Sequence, residues 1–397
     1  MDDAVIISAV RTPVGGLGGS LGDVSAVNLG SVVIQETLNR ADMDFGDVDE
    51  VLMGNVISAG LGQNPARQAA IAAKIPENVP SMTVNKVCGS GMKTVALASQ
   101  AVRLGDANIV VAGGMENMSQ GPYVLSKARF GYRLGHSEIL DSVVSDGLWC
   151  QLADCHMGMT AENVASRWEI SRDAMDGFSY RSHMKAANAW EQGIFNDEIA
   201  PVHIPQRRGD PKVVDRDEHF RADASVEQLG RLNPVFKRED GTVTAGNSSG
   251  INDGAAAVVV TTATEAQNRG ATPMGIIRGY ASAGVDPAIM GIAPVSAIKK
   301  VLQRTGLTLG DIDLIELNEA FAAQSLAVLK DLDLDPEIVN VNGGAVALGH
   351  PIGCSGTRII VTLLHELQRR KAKFGLASLC IGGGMGIAMV LENPNAV

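Results

Sequence analysis

A chain of 397 residues is too long for one small domain; it calls for two or three domains, or one large pseudo-symmetric core carrying an insertion. Its 45 glycines point to tight turns and close backbone packing. A net charge of -11 argues against nucleic acid or an anionic membrane as a general partner, while leaving room for an anionic ligand on a local basic patch.

The chain opens with Ala4–Val10, an apolar run that reads as a buried first strand and lacks the basic leader and length of a signal peptide. No apolar run is long enough to span a bilayer. Met82–Val87 reads as a strand, Gly89–Leu104 as a helix stopped by Gly105, and Ala107–Ala112 as another strand. That alternation predicts an α/β fold on a largely parallel sheet. Residues 120–249 differ in composition: they hold all three Trp and five of the seven His. This stretch reads as an inserted domain, with helices over Met159–Trp168 and Arg172–Gln192, the second led by Ser171 as N-cap.

The early layout recurs late in the chain. Ile338–Asn342 reads as a strand, Gly356–Lys371 as a helix and Gly375–Ile381 as a strand. Cys88-Gly-Ser-Gly91 echoes Cys354-Ser-Gly356, and Ala112-Gly-Gly-Met115 echoes Gly382-Gly-Gly-Met385. Asn55 precedes Gly91 by nearly the interval at which Asn318 precedes Gly356. We read an internal duplication of one α/β unit, the alternative being chance recurrence of Gly-rich turns. Cys88, Cys150, Cys155, Cys354 and Cys380 are odd in number and scattered. They suit free thiols in a reducing cytoplasm better than a disulfide framework.

Four places carry candidate chemistry. Cys88 lies between a strand and a helix, where unpaired N–H groups would lower its pKa and hold an oxyanion; a buried cysteine beside a glycine turn reads the same way. His350 follows a Gly-rich run and precedes Pro351, a fixed position suited to base duty, although a lone loop histidine is commonly an ordinary surface residue. Cys380 ends an apolar strand before Gly382-Gly-Gly384, where α/β sheets bind ligands; it is equally a core cysteine. Asn318, in Glu316-Leu-Asn-Glu-Ala-Phe321, can position water or simply cap a turn. Cys150, Cys155 and His156 lack the paired spacing of a metal site, and Gly15–Gly19 lacks the ending of a phosphate loop.

Taken together and in order, these motifs resemble the thiolase family over essentially the whole chain. The carriers are Ala9-Val-Arg-Thr-Pro13, Asn85-Lys-Val-Cys-Gly-Ser-Gly91, Gly113-Gly-Met-Glu116, Gly246-Asn-Ser-Ser-Gly-Ile-Asn-Asp-Gly254, Asn318-Glu-Ala-Phe321, Gly343-Gly-Ala-Val-Ala-Leu-Gly-His-Pro351 and Cys380-Ile-Gly-Gly-Gly384. The resemblance implies two similar α/β halves in five layers with a loop domain inserted in the first. The boundaries would be 1–119 with 250–272 for the first half, 120–249 for the insertion, which would bind coenzyme A and make oligomer contacts, and 273–397 for the second half.

It also implies a reversible Claisen condensation of two acetyl-coenzyme A to acetoacetyl-coenzyme A and coenzyme A, with no permanently bound cofactor or metal. Cys88 would carry the acyl group, His350 would take its proton, and Cys380 would deprotonate the second substrate. The N–H groups of Cys88 and Gly382 would hold one oxyanion, and His350 with an Asn318-bound water the other. Leu148, His156, Met157, Arg221, Ser249, Ala320 and Phe321 match positions lining the family's coenzyme A tunnel.

His156-Met-Gly-Met159, Pro122–Arg129 and Asp146-Gly-Leu148 resemble the short-chain branch, with Met157 narrowing the acyl pocket; Trp149–Cys155 departs from the family's usual residues. The alternative is a broad-chain-length 3-ketoacyl-coenzyme A thiolase of fatty-acid breakdown. Relatives of this kind are dimers or tetramers of dimers, so a cytoplasmic homotetramer is expected.

Overall fold

The computed structural model describes residues 2–396. Strands β1 (Ala4–Arg11), β2 (Glu50–Gly54), β3 (Ser81–Val84), β4 (Ile109–Asn117) and β5 (Asn252–Thr262) form one half of a mixed sheet. Strands β6 (Gly275–Gly284), β7 (Leu314–Leu317), β8 (Phe374–Ile381) and β9 (Met385–Glu392) form the other. The strand order is β7-β8-β9-β6-β1-β5-β4-β2-β3. Within the sheet, the halves meet through the short β1–β6 ladder, Val5 against Ile276 and Ile6 against Gly275.

The two halves repeat one topology. In each, an outer strand (β2 or β7) runs parallel to the next (β4 or β8), and the strands beyond it are antiparallel. Ile338–Asn342 does not form the predicted strand. Only Val339 bridges Ile315, occupying the place that β3 takes beside β2. The reason is Asn340, which turns left-handed at φ 44°. Its side-chain amide stands in for the next ladder rung: Leu317 N–H donates to Oδ1 at 2.8 Å, and Nδ2 donates to Leu317 O at 2.8 Å.

The expected largely parallel sheet is also corrected: the centre, β5-β1-β6-β9, is antiparallel throughout. β1, β5 and β9 are largely apolar because both their faces are covered, which a parallel sheet would equally require, while β6 is only half buried. Alternate residues enter different cores. Ala256, Val258 and Val260 of β5 face the middle of the molecule, while Ala255, Ala257 and Val259 face the outer helices.

Those helices complete five layers. Helices α1 (Ala26–Arg40) and α2 (Pro65–Ala72) cover the first half. Helices α3 (Ser90–Leu104) and, late in the chain, α8 (Ile352–Arg370) lie between the halves. Helices α6 (Ala293–Thr305) and α7 (Ala322–Leu332) cover the second half. α3 stops at Gly105 as read from sequence, with φ 78° there. α8 starts four residues before the predicted Gly356.

α3 and α8 cross at their first turns. A Cβ on Gly356 would lie 2.3 Å from Met92 N, and one on Gly91 would lie 2.7 Å from Thr357 Oγ1. The echoed glycines are therefore each other's clearance. Between β4 and β5, helices α4 (Met157–Arg167) and α5 (Arg172–Glu191) pack on α7. Ser171 caps α5 as predicted, accepting from Ala174 N–H. Arg11 ties β1 to this segment as a buried ion-pair hub, with Glu198 at 2.5 Å and Asp217 at 2.7 Å.

Candidate active site

The turn carrying Cys88 is over-determined. Val87, a β-branched residue, is held at φ 46°, a conformation that side chains of this type resist. Three local bonds enforce it. Val87 N–H donates to Asn85 Oδ1 at 3.0 Å, Lys86 N–H donates to Ser90 Oγ at 2.8 Å, and Ser90 Oγ donates to Val87 O at 2.6 Å. The result presents Cys88 at the mouth of α3, one residue before its Gly89 cap.

The sequence led us to expect an acidified thiol there. Instead burial pushes Cys88 up to about 11, opposed by the backbone N–H groups of Gly382 and of Cys88 itself. The two opposing N–H groups belong to opposite halves of the molecule. Cys380, at the end of β8, is fully buried; burial and the neighbouring Cys88 raise it above the ordinary thiol range.

His350 is held from three sides. Its N–H donates to Asn252 Oδ1 at 3.0 Å, and Asn252 Nδ2 donates to Gly15 O at 2.9 Å. Gly349 before it has φ 104°, which only glycine adopts readily. Upstream, the Glu319 carboxylate accepts from Val346 N–H, Asn340 Nδ2 and Ser182 Oγ and fixes the Gly-rich run. Downstream, Glu116 accepts from Gly353 N–H at 2.8 Å, and from Val56 N–H, Ile57 N–H and Asn55 Nδ2. Burial first, and then Arg358, pulls His350 down to about 4, so it rests neutral. Among the described residues its Nε2 has no hydrogen-bond partner, and neither end of the buried Asn318 amide has one.

Cys88 and His350 line one cavity of about 450 Å³. All seven positions matched to coenzyme A contacts line it too: Leu148, His156, Met157, Arg221, Ser249, Ala320 and Phe321. Asn318, Cys380 and Gly382 lie outside that lining set. Cys380 packs in the apolar cluster with Met157, Ala320 and Phe321, and Gly382 borders an adjoining cleft that shares Met157. Sequence reasoning missed Phe236, whose ring stacks on His156 at 4.7 Å and meets Phe321 edge-on at 6.4 Å. It also missed Met118, His219, Ser248 and Met290 in the same wall. Ser248 and His219 sat one and two positions from residues already chosen; nothing in the sequence pointed to Phe236.

His156 caps α4 by accepting from Gly158 N–H at 3.0 Å, and burial lowers its pKa. The Gly246–Gly254 loop is laced to the next wall: Ser249 N–H donates to Ala320 O at 3.0 Å, and Ala322 N–H donates to Asn247 O at 2.9 Å. Arg221 stands exposed at the rim, its backbone N–H donating to His183 Nδ1 at 3.1 Å. In the departing stretch, Trp149-Cys150 and Cys155-His156 pair as a short hairpin, Cys150 opposite Cys155. A larger cleft of about 600 Å³, between α5 and α7, holds none of the candidate residues.

Comparison with known proteins identifies the family. The thiolase N-terminal domain matches residues 4–264 and the thiolase C-terminal domain residues 271–393. The chain is 56% identical over 391 residues to an acetyl-CoA acetyltransferase of Pseudomonas aeruginosa, covering 98% of this chain and 99% of that one. It is 56% identical over 396 residues to one from Escherichia coli, covering 100% of both. The crystal structure of the Bacillus anthracis acetyl-CoA acetyltransferase superposes with a TM-score of 0.97 at 48% identity, covering 99% of each chain. With both domains matched across nearly its full length, the chain belongs to the thiolase family.

Proposed function

We propose that this enzyme is an acetyl-CoA C-acetyltransferase, reversibly joining two acetyl-CoA into acetoacetyl-CoA and CoA through an acetyl-Cys88 thioester. The carrying observation is a cavity lined by Cys88 and by His350, whose buried Nε2 has no hydrogen-bond partner among the described residues. Buried polar atoms normally find partners, so unpaired ones beside a cavity suit a substrate or a water that completes them. The names and full-length identity of the relatives support the same chemistry.

Cys88 gives its proton to His350 Nε2 as its sulfur attacks the acetyl carbonyl, and the departing CoA thiolate takes the proton of Cys380, leaving Cys380 as the thiolate that serves as base in the next step. Because Cys88 is raised and His350 lowered, the resting pair is neutral; the thiolate forms only as the new bond does. Cys380 then removes a C2 proton from a second acetyl-CoA. The enolate oxygen is held by His350 and an Asn318-bound water, and its carbon attacks acetyl-Cys88. The N–H groups of Cys88 and Gly382 hold the tetrahedral oxyanion, a contribution of roughly a hundredfold or more in rate per donor. Collapse releases acetoacetyl-CoA, and the Cys88 thiolate recovers its proton from His350, with Cys380 already restored by the C2 proton.

The division of labour follows the chain: 1–119 with 250–272 supplies the nucleophile half, 273–397 supplies His350, Asn318 and Cys380, and 120–249 handles CoA. Leu148, His156, Ser249, Ala320 and Phe321 enclose the pantetheine arm, Arg221 meets the nucleotide end, and Met157 limits the acyl chain. The exposed apolar stretch from Tyr123 to Leu140 includes Phe130 at 90% and Leu134 at 102% exposure. Its burial against further copies suits a homotetramer.

No helix among the described residues is long and apolar enough to cross a membrane, and all five cysteines are free. Both support a cytoplasmic enzyme. Thiolysis rates across 3-oxoacyl-CoA chain lengths test the reading: the four-carbon substrate should be strongly preferred. Preference for long chains would overturn it in favour of a broad-range thiolase of fatty-acid breakdown.

A further inference from the structure

The reaction above uses only one nitrogen of His350. We propose that Ser355 is a positioning residue that keeps the ring proton on His350 Nδ1, leaving Nε2 bare to receive the proton of Cys88. The inference rests on the base role just assigned to His350.

Nδ1 lies 2.6 Å from Ser355 Oγ, and Oγ donates to Pro351 O at 2.9 Å. A hydroxyl has one proton and two lone pairs, and a carbonyl oxygen can only accept. With its proton on Pro351 O, Ser355 meets Nδ1 with a lone pair, so the hydrogen between them belongs to the ring. The tautomer is assigned from this bonding pattern. His350 is 7% exposed and Ser355 1% exposed, which leaves solvent little access to reverse the arrangement.

The charged state needs the same partner. Pro351 O also accepts the N–H groups of Cys354 and Ser355, as the first turn of α8 requires, so the serine proton shares a crowded acceptor. Once Nε2 has taken the Cys88 proton, however, both ring nitrogens carry hydrogen. Ser355 Oγ must then accept whatever the resting tautomer was. Burial and Arg358 both oppose that cation; the Nδ1–H···Oγ bond acts in its favour.

A neutral hydroxyl also explains the resting state. A carboxylate in this place would favour the imidazolium more strongly, as the aspartate of a serine-protease triad does for the imidazolium that forms there. Serine orients the ring and accepts from it without holding it charged. The ring's backbone is fixed separately by Asn252, so removing the hydroxyl should disturb the proton more than the position.

The test compares wild type with Ser355→Ala and Ser355→Thr. Two readouts are needed: the pH dependence of Cys88 alkylation by iodoacetamide, and kcat and KM for thiolysis of acetoacetyl-CoA. Loss of an outer partner of this kind costs about 10- to 100-fold. Ser355→Ala should lose that much in kcat and in alkylation near neutrality, with KM little changed. The alkylation defect should shrink in alkali, where hydroxide replaces the imidazole as base. Ser355→Thr, which keeps the hydroxyl, should recover much of the neutral rate.

Wild-type alkylation by Ser355→Ala at neutral pH would overturn the proposal. So would an equal loss at every pH, which is the signature of a merely structural role. Unimpaired alkylation in His350→Asn would instead sink the base role on which the proposal rests.

Discussion

Asn55 and Asn318 stand just past the ends of β2 and β7, the matching strands of the two halves. Both are buried, at 1% and 0% exposure. Asn55 Nδ2 donates to Met115 O and to the Glu116 carboxylate, at 3.1 and 2.9 Å. Neither atom of the Asn318 amide has a partner. One copy of the duplicated unit bonds its asparagine through Nδ2, leaving only Oδ1 unpaired, and the other leaves both amide atoms unpaired among the described residues, as the proposed chemistry requires. The two cysteines assigned to the reaction are not repeat partners, and they also differ: Cys88 follows a strained turn at a helix mouth, while Cys380 ends a regular strand in an apolar cluster.

The cysteine contrast should give the largest effects. Cys88→Ala should reduce turnover by roughly 10⁴-fold or more, since removing a nucleophile disables the whole unit. Cys380→Ser should keep acetylation at Cys88 yet lose about 10²- to 10⁴-fold in acetoacetyl-CoA synthesis, as expected for a missing acid–base group. Burst kinetics with acetyl-CoA separate the two steps; a Cys380→Ser enzyme unable to acetylate would erase the distinction drawn here.

The asparagines come next, and they should fail in opposite ways. Asn318→Ala should lower kcat by about 10²-fold, the cost of one oxyanion donor, with unfolding stability near that of the parent. Asn55→Ala should instead lose about 1–3 kcal/mol of stability, because it strands acceptors in a buried network. Paired denaturation and kinetic measurements decide. A stability loss at Asn318 as large as that at Asn55 would mean that both copies are structural.

The smallest expected effect concerns acid stability. Burial first, then His219 and Arg221, pulls His183 down to about 4. An imidazole depressed in the folded state binds its proton better when unfolded. Its contribution to stability is therefore present above pH ~6.5 and is lost as pH falls towards 4, by at most about 1.4 kcal/mol per pH unit. His183→Asn keeps an acceptor for Arg221 N–H and should flatten that fall. Comparison with the parent isolates the group from Glu116 and Glu316, which burial raises to about 7 and 8 and whose contribution has the opposite sign.

Much of this was legible in the sequence where a single local rule governs. β1 is an apolar run broken only by Ser8 before its terminal Arg11, α3 ends at a left-handed glycine, and α5 begins at a serine cap. The repeat was legible because Gly91 and Gly356 must both vanish for α3 and α8 to cross. Strand direction was not, since strands buried on both faces look alike in parallel and antiparallel sheets. The missing strand at Ile338–Asn342 was hidden because a side chain, Asn340, performs the pairing. The thiol's acidity was misjudged because helix position is visible in sequence and burial is not. The site residues came from motif order; their supports, Glu116, Asn252 and Ser355, emerge only when distant segments meet.

The central claim is that Cys88 carries the acyl group while the second half of the molecule makes the carbon–carbon bond. Intact-protein mass after brief exposure to acetyl-CoA tests it most directly, with peptide mapping to place the adduct. The account predicts one acetyl group, on Cys88, present in Cys380→Ser and absent in Cys88→Ala. An acetyl group on Cys380, or none on any cysteine of a competent enzyme, would contradict it.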